Sequence, residues 1–394
     1  MRPQTSPRRR RTSGPTRLPR RLDCLVVGAG PAGIGTALAV SAVPGLTTGV
    51  VERGTIGQTF VDWPAEQRFL TPSFTGNGFG STDLNAVHPD TSPAFSLGVD
   101  YPSGSEYAGY LAAVVEHFKI PVATGTTVAA VQADRRSGFT VDLVGHGGRG
   151  ERVVARSIVW AGGEFADQRF PRLVGDSPVV HTSDPVAWRP ADGQQVVVIG
   201  GYESGIDIGC HHVDLGSRVT VIDPAHPWDA GDGSDPSYLL APRTRQRLRD
   251  AVGSGRLTLT RGRAHAVRPR ESGGFLVRTL AGAAYACDVP PIAATGYGPG
   301  LGPVTGLFAR RSDGWPALSA DDESTTTPGL FLSGPAVRHD DLRFCFVYKY
   351  RQRYAQIAAA IGRRFSRDVS ALEAWRDAGM WTDDLSCCGV RCAC

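Results

Sequence analysis

The sequence is 394 residues long, enough for two domains with their own cores. Hydrophobic residues make up 41% and charged residues 20%, and no apolar run approaches the ~20 residues that a membrane-crossing helix needs, so a soluble protein with no membrane partner is expected. The formal net charge of +4 is misleading: residues 1–22 hold eight arginines and no acid, which leaves the remaining body at −4 and argues against a nucleic-acid partner.

The N-terminal segment, 1–21, carries Arg8-Arg9-Arg10-Arg11 among Pro, Ser and Thr and reads as a disordered basic tail. An export signal with paired arginines would need an apolar stretch next, but the next apolar stretch is the first predicted strand. That strand, Leu25-Val26-Val27, runs into Gly28-Ala29-Gly30-Pro31-Ala32-Gly33 and then into the small-residue run Gly33–Val40. A strand, a glycine turn and a helix in this order make a dinucleotide site. The first glycine makes the turn, the second lets backbone approach a pyrophosphate, and the third lets helix and strand touch. Pro31 suits the first helical turn, where a missing N–H costs nothing. Glu52 follows Gly28 by 24 residues, at the distance where a carboxylate binds an adenosine ribose.

About fifty residues rich in Gly, Pro, Ser and aromatics come next, from Gly57 to Gly104. Phe60, Trp63, Phe69, Phe74, Phe79, Phe95 and Tyr101 show no clean period, so the segment is a long loop, either a wall over the reactive end of a cofactor or ordinary surface packing. Ser103-Gly104-Ser105-Glu106 is a capping box for a helix from Tyr107 to about Lys119. Strands are expected near Val122, Val128–Val131, Phe139–Val144 and Val153–Val154, ending in Ser157–Trp160 and Ala161-Gly162-Gly163.

The pattern then begins again. Gln195–Ile199 leads into Gly200-Gly201-Tyr202-Glu203-Ser204-Gly205, and Val219–Ile222 ends at Asp223, 23 residues after Gly200. Further strands are expected over Arg256–Thr260, Ala264–Arg268 and Phe275–Thr279, before Pro291–Ala294 and Thr295-Gly296. The two halves share one order: glycine turn, acid, antiparallel strands, apolar run, Ala-Gly or Ala-Thr-Gly. A closing strand ends at Gly334, and a helix is expected from about Phe344 to Phe365, its N-terminus offering free N–H groups to an electron-rich ring or phosphate.

This doubled unit resembles the flavoproteins with two dinucleotide-binding domains, the thioredoxin-reductase-like pyridine nucleotide–disulfide oxidoreductases and flavin-containing monooxygenases. The resemblance covers roughly Arg21 to Phe365. It implies an α/β fold of two Rossmann-like domains, with the NAD(P)H domain, 190–290, inserted into an FAD domain formed by 22–189 and 291–378. It implies FAD contacts at Gly28, Gly30, Gly33 and Glu52, and NADH or NADPH contacts at Gly200, Gly201, Ser204 and Gly205. Gly162 and Gly296 are then the crossings between domains, and Gly334 matches the glycine of a C-terminal Gly-Asp motif beside the flavin. Dimeric relatives suggest a homodimer. Asp223, where an acid can bind an unphosphorylated ribose and repel a 2′-phosphate, points to NADH, unless Arg243, Arg245 or Arg247 folds back. Three departures stand out: Tyr202 replaces the middle glycine of the second turn, Pro335 stands where the family has Asp, and the nucleotide domain has no Cys-x-x-Cys.

The C-terminal segment, 379–394, ends in Cys387-Cys388-Gly389-Val390-Arg391-Cys392-Ala393-Cys394. Without a secretory signal, eight cysteines fit a reducing cytosol better than a disulfide framework. In placement the tail is similar to the mobile cysteine pairs of some large thioredoxin and mercuric reductases, which makes Cys387 and Cys388 candidate redox groups. Alternatively, Cys387, Cys388, Cys392 and Cys394 form a soft-metal site, or the cluster is incidental.

Three functions remain open. The first is an FAD-dependent NAD(P)H oxidoreductase acting on a disulfide or thiophilic small molecule. The second is a flavin-dependent monooxygenase using O2, for which Phe170–Gly175, His181 and Trp188 form a degenerate hinge motif. The third is a flavin-bearing metal-binding module in which Tyr202 blocks the nicotinamide.

Overall fold

The computed structural model describes residues 17–74, 82–134, 138–175, 178–189, 193–231 and 235–385. Its first unit comprises β1 (Arg21–Val27), α1 (Pro31–Ser41), β2 (Thr48–Val51), α2 (Gln58–Val61), α3 (Pro93–Leu97), α4 (Gly104–Phe118), β3 (Val122–Ala123), β4 (Thr126–Asp134), β5 (Gly138–Gly145) and β6 (Gly150–Trp160). β1 pairs in parallel with β2 on one side and β6 on the other, so its apolar run Cys24–Val27 is buried on both faces. β6 is one eleven-residue strand where the sequence suggested two segments: its first half pairs antiparallel with β5 and its second half parallel with β1.

Every residue of α1 from Pro31 to Val40 is buried, as expected of an interior helix that is apolar all round. The expected capping box is present on α4: Ser103 Oγ accepts the Glu106 N–H, and the Glu106 carboxylate accepts the Ser103 N–H. The last residues of the segment expected as a basic tail are docked on the first unit. Leu18 is buried, packing on Gly49 and Leu22, and β1 already starts at Arg21, while 1–16 lie outside the described residues.

The second unit comprises β7 (Val180–His181), β8 (Gln195–Ile199), α5 (Glu203–Asp214), β9 (Arg218–Asp223), α6 (Pro242–Gly253), β10 (Leu257–Arg261), β11 (Ala264–Pro269), β12 (Phe275–Thr279), β13 (Ala284–Cys287) and β14 (Ile292–Ala293). Its parallel sheet runs β10-β9-β8-β14-β7, and β11, β12 and β13 form a separate antiparallel sheet. This parallel sheet draws in β7 and β14, which lie just outside the 190–290 span.

The chain then returns to the first sheet. β15 (Leu330–Leu332) pairs in parallel with Ile158–Trp160 of β6, so the unit built around β8 is an insertion between two strands of one sheet. The hairpin of β16 (Arg338–His339) and β17 (Leu342–Arg343) follows, then α7 (Val347–Tyr350), α8 (Tyr354–Arg364) and α9 (Glu373–Asp377). The fold is thus α/β with two Rossmann-like units.

The single helix expected over Phe344–Phe365 is broken by a 3-10 turn at Arg351–Arg353. Its arginines are buried, and each is held by carbonyls far away in sequence: Arg351 donates to Thr82 O and Asp83 O, and Arg353 to Ala320 O and Thr382 O. Arg353 also pairs with Asp322 at 2.9 Å, both side chains fully buried, and Asp322 in turn meets His339 Nε2 at 2.5 Å. The beginning of the C-terminal segment is likewise docked. Met380 and Trp381 lie in the first core, and Trp381 Nε1 donates to Gln356 Oε1 at 2.7 Å.

Candidate functional site

The two glycine turns have the same backbone. Gly28 has φ of +104° and Gly200 +105°, values that L side chains rarely adopt. A Cβ on Gly28 would come within 2.3 Å of Ala161 O, and one on Gly200 within 2.3 Å of Ala294 O. The close contact of helix with strand also repeats: a Cβ on Gly33 would sit 1.8 Å from Gly28 O, and one on Gly205 would sit 1.9 Å from Gly200 O. Each acid staples its own turn. Glu52 Oε2 accepts the Ala29 N–H and Oε1 the Gly54 N–H, both at 2.8 Å. Asp223 Oδ2 accepts the Gly201 N–H at 2.7 Å, while Oδ1 accepts from Ala225 and His226.

The first turn opens onto a cleft of about 550 Å³. Gly28, Gly30, Glu52 and Gly162 line it, together with Phe60, Glu164, Pro335 and Tyr350. Gly30 is the open point: it has ordinary extended backbone, and a Cβ there would meet no protein atom within 4 Å. Two hydrogen bonds leave the Glu52 carboxylate two of its four acceptor positions, the number that a ribose diol requires. These features fit FAD. Gly33 and Gly334 lie behind the cleft wall, where the Cβ that Gly334 lacks would approach Ala32 Cβ at 3.0 Å. Asp340 and Asp341, the acids that follow Pro335 in sequence, line a smaller pocket with Arg311 and Arg343.

The second turn is dressed differently. Tyr202 has extended backbone, so no glycine is required there, and its side chain turns sideways. Its hydroxyl lies 2.7 Å from Pro236 O and 2.9 Å from Leu239 O, so it does not block the turn as the third sequence reading supposed. The residue on the face of Gly201 is Trp228, which sequence reasoning missed; a Cβ on Gly201 would meet its ring at 2.3 Å. Ser204 is exposed on the first turn of α5, whereas Glu203 is buried, accepts from Thr244 Oγ1 at 2.6 Å and from Ala241 N, and is pushed up to about 7 by burial. Its charge is therefore partly suppressed near neutral pH.

The loop Asp235–Leu239 joins this turn to the flavin side of the molecule. Tyr238 Oη donates to Asp341 O at 2.6 Å, and Lys349 Nζ binds Asp235 at 2.8 Å and Ser237 Oγ at 3.0 Å. One segment thus touches both Tyr202, through the Pro236 and Leu239 carbonyls, and α7, through Asp235 and Ser237.

The aromatic loop divides. Phe60, Trp63 and Phe69 pack with Tyr107, ring centroids 4.4–5.5 Å apart, and Phe60 reaches the cleft. Phe95 is 82% exposed, and Phe79 lies outside the described residues. His181 is buried between Phe170 and Tyr297, accepts the Ser183 N–H at Nδ1 and meets Gly296 O at 3.2 Å through Nε2, so it serves the packing of the crossing. Gly296 belongs to that crossing and not to the cleft.

Cys24, Cys210 and Cys287 are buried free thiols pushed up to about 12 by burial, which makes them inert packing residues. Cys387, Cys388, Cys392 and Cys394 lie outside the described residues. Among the described residues no cluster of metal ligands occurs, and no helix is long and apolar enough to cross a membrane.

Fold and cleft together define a two-dinucleotide oxidoreductase. Residues 25–334 match the family model for pyridine nucleotide-disulphide oxidoreductase, and the chain belongs to that family. With it come the enzyme class, an FAD-dependent oxidoreductase, and the cofactor pair of FAD with NADH or NADPH. The dihydrolipoyl dehydrogenase of Haloferax volcanii is 26% identical over 229 residues, 57% of this chain and 47% of that protein, so the match spans about half of the relative's length. Among solved structures, a bacillithiol disulfide reductase from Bacillus cereus superposes with a TM-score of 0.68 at 22% identity, covering 87% of this chain and 99% of that one. An ornithine N-hydroxylase from Kutzneria sp. 744 does so with 0.65 at 21% identity, covering 88% and 100%. At these identities the likeness is one of fold, and it spans both reductases and hydroxylases.

Proposed function

We propose that the chain takes electrons from a nicotinamide dinucleotide at the second turn, passes them through FAD at the first, and delivers them to a disulfide or thiophilic small molecule. The observation that carries this reading is the repeated turn, with the same φ, the same close approaches and the same acid staple, in a member of this family. FAD supplies the two-electron carrier. The α1 N-terminus and the backbone of Gly28 and Gly30 bind its pyrophosphate, Glu52 holds its ribose, and Gly162 keeps the cleft wall thin. Gly200, Gly201, Ser204 and Gly205 receive the nicotinamide dinucleotide. The test is anaerobic mixing of purified flavin-loaded protein with NADH, followed by separate additions of a disulfide and of O2. Bleaching by NADH and fast recovery with the disulfide are expected. Recovery only with O2 points to a monooxygenase, and no bleaching by NADH or NADPH rules out both enzyme readings.

NADH is the expected donor. The Asp223 carboxylate faces the second turn, where it repels a 2′-phosphate. Two of the three arginines named for reversing this, and the one beside Asp223 in the sheet, are engaged elsewhere. Arg247 pairs with Asp207, Arg243 lies 4.9 Å over the Tyr101 ring, and Arg261, beside Asp223 in the sheet, binds Asp229 at 2.5 Å. A preference for NADPH of about tenfold or more in kcat/KM overturns this assignment.

For the C-terminal cysteines we propose a relay role, motivated by four thiols within eight residues and a neighbouring Arg391 that favours thiolate. Changing Cys387 and Cys388 to Ser together should abolish disulfide reduction while NADH still bleaches the flavin. Unchanged turnover removes the tail from the electron path.

A further inference from the structure

One acidic group in the cleft has no part in the scheme above. Glu164 follows Gly162-Gly163 in the crossing from β6 to the second unit and lines the 550 Å³ cleft. The crossing is tightly pinned: a Cβ on Gly300 would fall 1.8 Å from Gly163 O, and Phe165 packs on Tyr297 with ring centroids 4.7 Å apart. The neighbouring contacts therefore hold the backbone from which this side chain leaves. Four titratable or charged groups face it from the elements packed around it: Arg338 from β16, Tyr297 from the second crossing, Cys345 from the segment before α7 and Tyr350 from α7. Arg338 is not a tight partner. Its guanidinium lies 3.5 Å over the Trp315 ring and 3.8 Å from Asp313, and its Nε is buried without a hydrogen bond.

We propose that Glu164 is the proton donor of the cleft, giving its carboxyl proton to the thiolate released when a disulfide acceptor is split. This assignment rests on the disulfide reading proposed above. Burial pushes the carboxyl up to about 7, and the Arg338 charge opposes that shift, so near neutral pH the group holds a proton for a large part of the time and can also release it. Reduction of one disulfide breaks one S–S bond, forms two S–H bonds, and takes two electrons and two protons. The nicotinamide hydride, passed through the flavin, brings both electrons and one proton, Glu164 brings the other, and solvent reprotonates Glu164. The phenols of Tyr297 and Tyr350 are raised further above neutrality by burial and stay protonated, and the Cys345 thiol, pushed up to about 11, does so too. Of the cluster, the carboxyl is the group that can exchange a proton at pH 7.

The test uses the flavin-loaded full chain, the variants Glu164→Gln and Glu164→Asp, and two disulfide probes. Glutathione disulfide releases a basic alkyl thiolate that needs a proton, whereas 5,5′-dithiobis(2-nitrobenzoate) releases a weakly basic aryl thiolate that leaves without one. Glu164→Gln should slow flavin reoxidation by glutathione disulfide by about a hundredfold, the size of general-acid effects. It should slow reoxidation by the aryl disulfide by no more than about threefold, and Glu164→Asp should restore much of the loss. Independently of turnover, the absorbance of the bound flavin in the wild type should titrate with a midpoint near neutral pH, and Glu164→Gln should remove that midpoint. Equal slowing of both probes, or a midpoint that persists in Glu164→Gln, overturns the role of Glu164. If the wild type reduces neither probe although NADH bleaches its flavin, the disulfide reading falls and thiolate protonation falls with it. If it reduces both and Glu164→Gln matches it, the assignment of Glu164 alone falls.

Discussion

Gly30→Val is expected to yield a chain that folds like the wild type and purifies without flavin. Three glycines shape the first turn, but they do so for different reasons. Gly28 and Gly33 are required by the protein itself, because a Cβ at either would collide with backbone carbonyl oxygens at 2.3 and 1.8 Å. Gly30 is required by nothing in the protein. Its backbone is extended, with φ of −80°, and a Cβ would point into the cleft and meet no protein atom within 4 Å. The isopropyl group of valine would fill space where a pyrophosphate must lie against backbone, and displacing the phosphate from the α1 N-terminus should weaken FAD binding by at least about a hundredfold, or ~2.7 kcal/mol. Circular dichroism and the thermal midpoint should stay near those of the wild type. Gly33→Val should instead fail in both respects. A yellow Gly30→Val protein with wild-type affinity would remove FAD from this cleft.

The second large effect is on stability and lies far from either turn. Asp322→Ala should lower the unfolding free energy by about 3–5 kcal/mol, because it leaves the Arg353 guanidinium buried without its countercharge. Both side chains are fully buried, the pair is bidentate at 2.9 and 3.1 Å, and His339 depends on the same carboxylate. Arg353 also holds Ala320 O and Thr382 O, which pin the segment before β15 and the C-terminal segment to α8. Loss of the pair should therefore loosen both. Urea denaturation followed by Trp fluorescence measures the change, since Trp381 lies next to Thr382. A loss below about 1 kcal/mol would mean that water reaches Arg353.

Local requirements were legible in the sequence, and distant ones were not. The two turns could be read because a glycine with positive φ, a glycine at a helix–strand contact and an acid some two dozen residues later are conditions written within one βαβ unit. The capping box before α4 is equally local. The break in the predicted closing helix was hidden, because the guanidinium groups of Arg351 and Arg353 in the 3-10 turn are held by carbonyls at Thr82, Asp83, Ala320 and Thr382, none of them near in sequence. Trp228 on Gly201 was hidden for the same reason. Glu164 did leave a signal, an acid placed directly after the Ala-Gly-Gly crossing, but nothing in its spacing separated it from a solvent-facing residue. Tyr202 looked like an obstruction because the sequence shows its size and not its direction.

That direction has a mechanical consequence. Tyr202 holds the Pro236 and Leu239 carbonyls of the Asp235–Leu239 segment, while Lys349 holds Asp235 and Ser237 and the Asp341 carbonyl holds Tyr238. The segment is a tie-rod between the two nucleotide units. Any shift of Tyr202 therefore reaches α7 at Lys349, three residues beyond Phe346 and four beyond Cys345. Removing the Lys349 amine would leave Tyr238 on the Asp341 carbonyl and Arg343 on the Ser237 carbonyl as remaining ties.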